Sequence, residues 1–200
     1  RSRLSQVIKW LEDEQPEVLC LQETKVPDKE FPYETFDKIG YNVEFYGQKS
    51  YNGVAIISKN KLKDTRYGFA GELHKSEISE ELHFQKRIIS GLANDIRVIN
   101  VYVPNGSSLN SEKFVYKVNW LKKLNEYLVK QSRRGELTCL LGDFNIALND
   151  NDIHAPNELA GGIMASEIER QMLKNMLGKR FIDSFRVFEK FSGHWSWWDY

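Results

Sequence analysis

Hydrophobic positions along the chain fall into short blocks with two different periods. Leu4, Val7, Ile8 and Leu11 recur at helical spacing, which predicts an amphipathic helix over residues 1–14. Three blocks are continuous apolar runs of strand length, Glu17–Leu21 (EVLCL), Val54–Ser58 (VAIIS) and Leu137–Leu141 (LTCLL), the pattern of strands buried on both faces. Tyr41–Tyr46 alternates like a half-buried strand. Arg87–Leu92 and Asp95–Val103 read as two strands joined by a tight turn at Ala93-Asn94. The longest helix is expected over 112–132, where Phe114, Val118, Leu121, Leu124 and Leu128 mark one face, and it leads into a central strand at Leu137. A second helix is expected over 166–177, with Ile168, Met172, Leu173 and Met176 inward and Ser166 as its cap. Between these lie an aromatic helix or turn at 31–40, a charged strand and loop at 59–84, a polar loop at 149–162 and a short aromatic segment at 181–191.

The strand ends carry the chemistry. The run at Leu137 breaks at Gly142 into Asp143-Phe144-Asn145. In an extended segment alternate residues point the same way, so Asp143 and Asn145 are expected to face one site. A carboxylate suits a hard cation or a water proton, and an amide suits a phosphoryl oxygen. Gly, Asp and Asn are also ordinary turn residues, so a plain strand-to-loop turn is the alternative. The run at Glu17 ends the same way, in Gln22-Glu23-Thr24-Lys25, and a third strand closes on Tyr102-Val103-Pro104-Asn105-Gly106. In α/β sheets the carboxyl edge of the strands is where sites are built. Tyr102 offers a hydroxyl to a phosphate, against the commoner role of a half-buried strand tyrosine. Lys25 and Lys49 read as phosphate contacts, because a lysine is rarely buried unpaired.

Composition narrows the class without naming it. Two hundred residues make one domain with a single core, and no repeat, low-complexity tract or linker divides 1–200. The formal net charge is zero, so a nucleic-acid surface must be a local basic patch. No apolar run approaches the roughly 20 residues of a membrane span. Cys20 and Cys139 sit in apolar strand-like runs and are expected to be buried free thiols, which fits a reducing cytoplasm.

Taken together, the motifs resemble the exonuclease III family of DNA-repair nucleases within the endonuclease/exonuclease/phosphatase superfamily. They are Leu21-Gln22-Glu23-Thr24-Lys25, Gly47-Gln48-Lys49 with Tyr51-Asn52-Gly53-Val54-Ala55-Ile56, Gln85-Lys86-Arg87 and Val101-Tyr102-Val103-Pro104-Asn105-Gly106. Gly142-Asp143-Phe144-Asn145, Asp183-Ser184-Phe185-Arg186 and Ser196-Trp197-Trp198-Asp199-Tyr200 follow in family order. The resemblance implies an α/β fold, a two-sheet sandwich flanked by helices (DNase I-like, four layers). It implies a Mg²⁺-dependent hydrolase, with Mn²⁺ as a substitute, that acts as a monomer on double-stranded DNA. The implied activities are incision at abasic sites, removal of blocked 3′ ends and 3′→5′ exonuclease action.

By motif position, the resemblance makes Glu23 a metal ligand, joined by Asp143 and Asn145. Asp143 orients or deprotonates the attacking water, with holding the metal as the alternative to that role; Asn145 stabilises charge on the phosphorane, and Tyr102 bonds the scissile phosphate. Lys25, Lys49, Tyr51, Arg87 and Asn105 line the DNA path, and Trp197 walls the pocket for the baseless sugar, with core packing as its alternative.

Two parts of the family pattern are absent from 1–200: an opening strand bearing an Asn, and closing strands ending in Ser-Asp-His-Ala-Pro. The chain is therefore expected to be part of a longer protein, incomplete at both ends, with Trp195–Tyr200 cut mid-strand. None of His74, His83, His154 and His194 stands in that closing context. His154-Ala155-Pro156 resembles a substrate-facing loop instead. The alternatives are a non-catalytic DNA- or protein-binding remnant, or a superfamily phosphatase acting on a small ester.

Overall fold

The computed structural model describes residues 3–178 and 180–196. In chain order the elements are α1 (Leu4–Glu14), β1 (Val18–Gln22), α2 (Tyr33–Asp37), β2 (Asn42–Tyr46), β3 (Val54–Ser58), β4 (Lys63–Tyr67) and α3 (Glu80–Phe84). They continue with β5 (Ile88–Ala93), β6 (Ile96–Tyr102), α4 (Glu112–Ser132), β7 (Leu137–Asp143), α5 (Pro156–Leu159), α6 (Glu167–Leu177) and α7 (Ser184–Phe188). The chain forms two compact units: one comprises residues up to Tyr102 with Val129–Phe144, the other Val103–Leu128 with Asn145 onward.

The first unit holds both sheets. One is three-stranded and antiparallel, in the order β1-β3-β2; the other is four-stranded, β4-β5-β6-β7, with β6 and β7 parallel. Strand periodicity explains why VAIIS is apolar throughout. Ala55 and Ile57 join Leu19, Leu21, Val43 and Phe45 on the face covered by Leu4, Val7, Ile8 and Leu11 of α1 and Phe36 of α2. Val54 and Ile56 turn the other way, onto Ile89 and Val98 of the second sheet. The unit is thus a sandwich of two sheets with helices outside.

A polar bridge crosses that apolar interface. Asn100 on β6 is fully buried; its Nδ2 donates to the carbonyls of Leu21 (3.0 Å) and Ala55 (2.9 Å), and its Oδ1 accepts from Gln22 Nε2 (2.7 Å). With both its amide groups paired the asparagine escapes the desolvation penalty, and it ties the end of β1 to β6.

The second unit comprises most of α4, then α5, α6 and α7 with their loops. Phe114, Leu121, Leu124 and Leu128 of α4 are buried, as the helical spacing predicts; Val118 is half-buried, and Trp120 and Tyr127, which the spacing did not single out, are fully buried. Ser166 caps α6, accepting from Glu169 N while Glu169 reciprocates. The inward face of α6 is Glu169, Leu173 and Met176; Ile168 is exposed, contrary to the sequence reading.

Two further expectations are corrected. β7 is not central: among the described residues it pairs only with β6, at the edge of its sheet. With β6 as its one partner among the described residues, Leu137 is 72% exposed and Cys139 is exposed rather than buried. Cys20 is half-buried, and burial pushes its thiol up to about 12. No helix among the described residues is long and apolar enough to cross a membrane.

Candidate active site

In the first unit the site is built where β1, β6 and β7 end. After Gln22 the chain turns sharply, with Glu23 at φ 53° and Lys25 at φ 55°. Left-handed conformations at two non-glycine residues cost energy and persist only when neighbours hold them. The neighbours here belong to the loop before β3: Lys25 N donates to Asn52 O (2.9 Å), and Thr24 N donates more weakly to Gly53 O (3.4 Å). That loop is pinned by Gln48, whose Oε1 accepts from Asn52 Nδ2 (3.1 Å) and Lys86 N (2.9 Å).

The Glu23 carboxylate sits in a ring of donors. Lys25 Nζ pairs with Oε2 at 2.7 Å, and the Tyr102 hydroxyl donates to Oε1. Burial pushes the Glu23 carboxyl up, but the bonds from Lys25 and Tyr102 and the charges of Lys25 and Arg87 outweigh it, so it stays below the usual carboxylate range. The same contacts act oppositely on Tyr102: burial, the bond to Glu23 and nearby negative charge push the phenol well above its ordinary value. Tyr102 therefore keeps its proton and remains a donor. Arg87 stacks its guanidinium 4.5 Å over the Tyr102 ring and donates to Tyr102 O (3.1 Å).

Asp143 enters through register. Parallel pairing sets it opposite Tyr102, and its charge is felt by the phenol. Gly142 permits this close pairing: at φ 137°, a Cβ there would lie 1.9 Å from Val101 O. Lys49 and Tyr51 are exposed on the Gln48 loop, Tyr51 at 70%.

In the second unit, Asn145 is buried, with φ 47°. Its Nδ2 donates to Val103 O (3.0 Å), and its Oδ1 accepts from Asn105 Nδ2 at 3.3 Å. Asn105 is exposed, and its Oδ1 accepts from Ser107 N (3.0 Å). The alternation argument for Asp143 and Asn145 fails, because β7 ends at Asp143 and the left-handed turn breaks the extended period. His154 lies edge-on to Trp195, with ring centroids 4.7 Å apart. Trp197 lies outside the described residues.

The residues divide into two sets. Glu23, Lys25, Arg87, Tyr102 and Asp143 belong to the first unit, with Lys49 and Tyr51 on its loop; Asn105 and Asn145 form a hydrogen-bonded pair in the second. Sequence reasoning missed Gln22 and Asn100 behind Glu23, and the buried Lys117–Glu169 pair behind the asparagines. Lys117 left a signal: it lies three residues after Phe114 and four before Leu121, a cation on an apolar helix face.

Among the described residues no three His, Cys, Asp or Glu side chains cluster as a metal cage. Glu23 and Asp143 supply hard oxygen donors from two carboxylates. That set fits Mg²⁺-type binding, which uses one or two carboxylates and leaves other positions to water and phosphate.

A two-sheet α/β sandwich that sets two carboxylates, Glu23 and Asp143, and the Tyr102 hydroxyl at its strand ends has the donor types that phosphate-ester hydrolysis uses. The sequence matches the profile of the Endonuclease/Exonuclease/phosphatase family over residues 1–200. It is 34% identical to exodeoxyribonuclease III of Haemophilus influenzae, over 100% of this chain and 76% of that protein. It is 30% identical to the exodeoxyribonuclease of Bacillus subtilis, over 96% and 73%. Among solved structures, the 3′ phosphatase NExo from Neisseria, bound to a product DNA hairpin, aligns with a TM-score of 0.92 at 36% identity, covering 100% of this chain and 75% of that one. An AP endonuclease from Archaeoglobus fulgidus gives 0.84 at 39%, covering 94% and 69%. The chain belongs to the endonuclease/exonuclease/phosphatase family, in its exodeoxyribonuclease III branch, whose members are metal-dependent nucleases.

Proposed function

We propose that this chain carries the catalytic machinery of a Mg²⁺-dependent DNA-repair nuclease that hydrolyses phosphodiesters of duplex DNA, at abasic sites and at blocked 3′ ends. The observation that carries it is the Glu23 carboxylate, held in a left-handed turn between Lys25 and the Tyr102 hydroxyl, with Asp143 paired opposite Tyr102. The names of the relatives point the same way, since they include exodeoxyribonucleases and an AP endonuclease.

In this reading Glu23 and Asp143 would hold the cation, and the motif pattern adds Asn145 as a further ligand. The cation, when bound, neutralises charge on the phosphoryl oxygens. Asp143 orients the attacking water and takes its proton. The phenol of Tyr102, kept protonated by its surroundings, donates to the scissile phosphate once substrate competes for it. The Asn145 amide donates to the charge that grows on the phosphorus oxygens; one such donor is typically worth about 3 kcal/mol of barrier. Lys25, Lys49 and Arg87 neutralise DNA phosphates, while Tyr51, Asn105 and Trp197 line the path of the strand.

We further propose that residues 1–200 act as one domain and that the protein works as a monomer in the cytoplasm. The family profile spanning the whole chain supports the first. Two free cysteines fit a reducing compartment.

The test uses three end-labelled duplexes, intact, carrying one abasic site, or ending in a 3′ phosphate. Each is incubated with the protein and Mg²⁺ or EDTA. The reading predicts cutting of the abasic and blocked duplexes in Mg²⁺ only. Cutting that survives EDTA, or no cutting of any duplex in Mg²⁺, contradicts it.

A further inference from the structure

Lys117 on α4 and Glu169 on α6 are both completely buried and form an ion pair. Such a pair adds little net stability over an apolar replacement, so its placement calls for another role. Besides Glu169, the Lys117 ammonium donates to two backbone carbonyls, Asn105 O at 3.0 Å and Asn145 O at 2.7 Å. These are the two asparagines assigned to phosphate and DNA. Glu169 extends the network: Oε1 accepts from Met164 N (3.1 Å), and Oε2 accepts from Ser166 N (3.1 Å) and Ser166 Oγ (2.5 Å).

The turns held in this way do not hold themselves. Asn145, Ser107 and Met164 all have left-handed backbones, at φ 47°, 61° and 66°. Gly106, at φ 92°, lies so close to the lysine that a Cβ there would stand 3.0 Å from Lys117 Cδ. The side-chain amides depend on the same turns, because Asn145 Nδ2 donates to Val103 O and Asn105 Nδ2 to Asn145 Oδ1.

We propose that Lys117 is a positioning residue for the reaction: its ammonium, seated on Glu169, fixes the carbonyls of Asn105 and Asn145 and thereby the aim of both side-chain amides. The proposal rests on the roles given to these asparagines above. Lys117 itself touches no substrate. Misplacing a catalytic group by about 1 Å costs on the order of 100-fold in rate, which sets the expected effect.

The experiment compares the whole chain as wild type, as Lys117→Met with Glu169→Leu, and as Leu124→Ala. The double variant replaces the charge pair with apolar side chains. Leu124→Ala opens the same buried helix face without touching the turns and serves as the stability control. Two quantities are read: kcat and KM on abasic duplex DNA with Mg²⁺, and the side-chain NH2 resonances of Asn105 and Asn145 in ¹⁵N-labelled protein without metal or DNA. In the double variant kcat should fall about 100-fold with KM within about threefold, and the Asn145 NH2 signals should move and exchange faster. Leu124→Ala should keep both, although its cavity lowers the melting temperature at least as much as the double variant does.

Wild-type kcat in the double variant, or a fall no larger than in Leu124→Ala, overturns the proposal. Should the double variant not fold, Lys117→Gln, whose amide reaches one carbonyl, reads the same quantities with a smaller drop. If the wild type cuts no DNA, the functional assignment falls and the resonances alone decide: unmoved Asn145 signals overturn the clamp, and displaced signals uphold it.

Discussion

Glu23 and Tyr102 set each other's state. The carboxylate is kept ionised by the hydroxyl and by Lys25, and the phenol is kept neutral by the carboxylate. Replacing Tyr102 with Phe removes one donor while leaving a ring for Arg87 to stack on. It should lower kcat by about 10²-fold with little change in melting temperature, measured on the same preparation. Asn145 is different, because its amide is also structural. Asn145→Ala leaves Val103 O without its partner and places alanine at φ 47°, for a cost of about 2–4 kcal/mol in urea unfolding. Glu23, Asp143 and Asn145 were legible as candidates because each follows an apolar strand run at an abrupt polar break, and Tyr102 because it ends such a run just before one. Lys117 and Glu169 were not, since their meaning lies in a contact across 52 residues of sequence.

Among the elements, β7 shows how far a pattern reaches. LTCLL announced a strand and Gly142 announced its end, but hydrophobicity does not separate an edge strand from a central one, and Leu137 proved exposed. The alternation that set Asp143 and Asn145 together was a sound rule applied two residues past the end of the strand, where Asn145 leaves the extended backbone. Asn100 was likewise hidden inside the apolar run of β6, where its three hydrogen bonds are long-range and leave no local trace. Gly142, by contrast, is required by its immediate neighbour on β6. Gly142→Ala drives a methyl into Val101 O on the paired strand, so it should destabilise the sheet by more than about 3 kcal/mol or prevent folding, read by circular dichroism and thermal melting. Unchanged stability would mean that β6 and β7 are not paired in this register.

At the level of the whole molecule, charge pairs and net neutrality set the response to pH and salt. Arg97, fully buried, is pinned by Glu136 and Asp64. The Arg97 bond holds the Glu136 carboxyl below its usual value against the upward push of burial. A depressed carboxylate contributes stability above its unfolded pKa and loses it as pH falls through the folded value. Melting temperature should therefore be flat near neutrality and fall in acid below about pH 4.5. Glu136→Gln should lower the neutral plateau and flatten that acid limb; an unchanged limb would assign it to other carboxylates. DNA affinity should depend steeply on salt even though the chain has no net charge, because the proposed function sets Lys25, Lys49 and Arg87 against DNA phosphates. Three released counterions give a slope of about −3 in log K against log salt, and a small-ester phosphatase would show none of it.

The most direct measurement takes wild type and Asp143→Asn side by side, reading the rate of incision and the dissociation constant on one abasic duplex in Mg²⁺. The substitution keeps the shape of the side chain and removes the charge that receives the water's proton. Incision should fall by at least about 10²-fold while the dissociation constant stays within a few-fold. Equal loss of cutting and binding would make Asp143 a residue that holds the fold, and undiminished cutting would place the chemistry elsewhere in the chain.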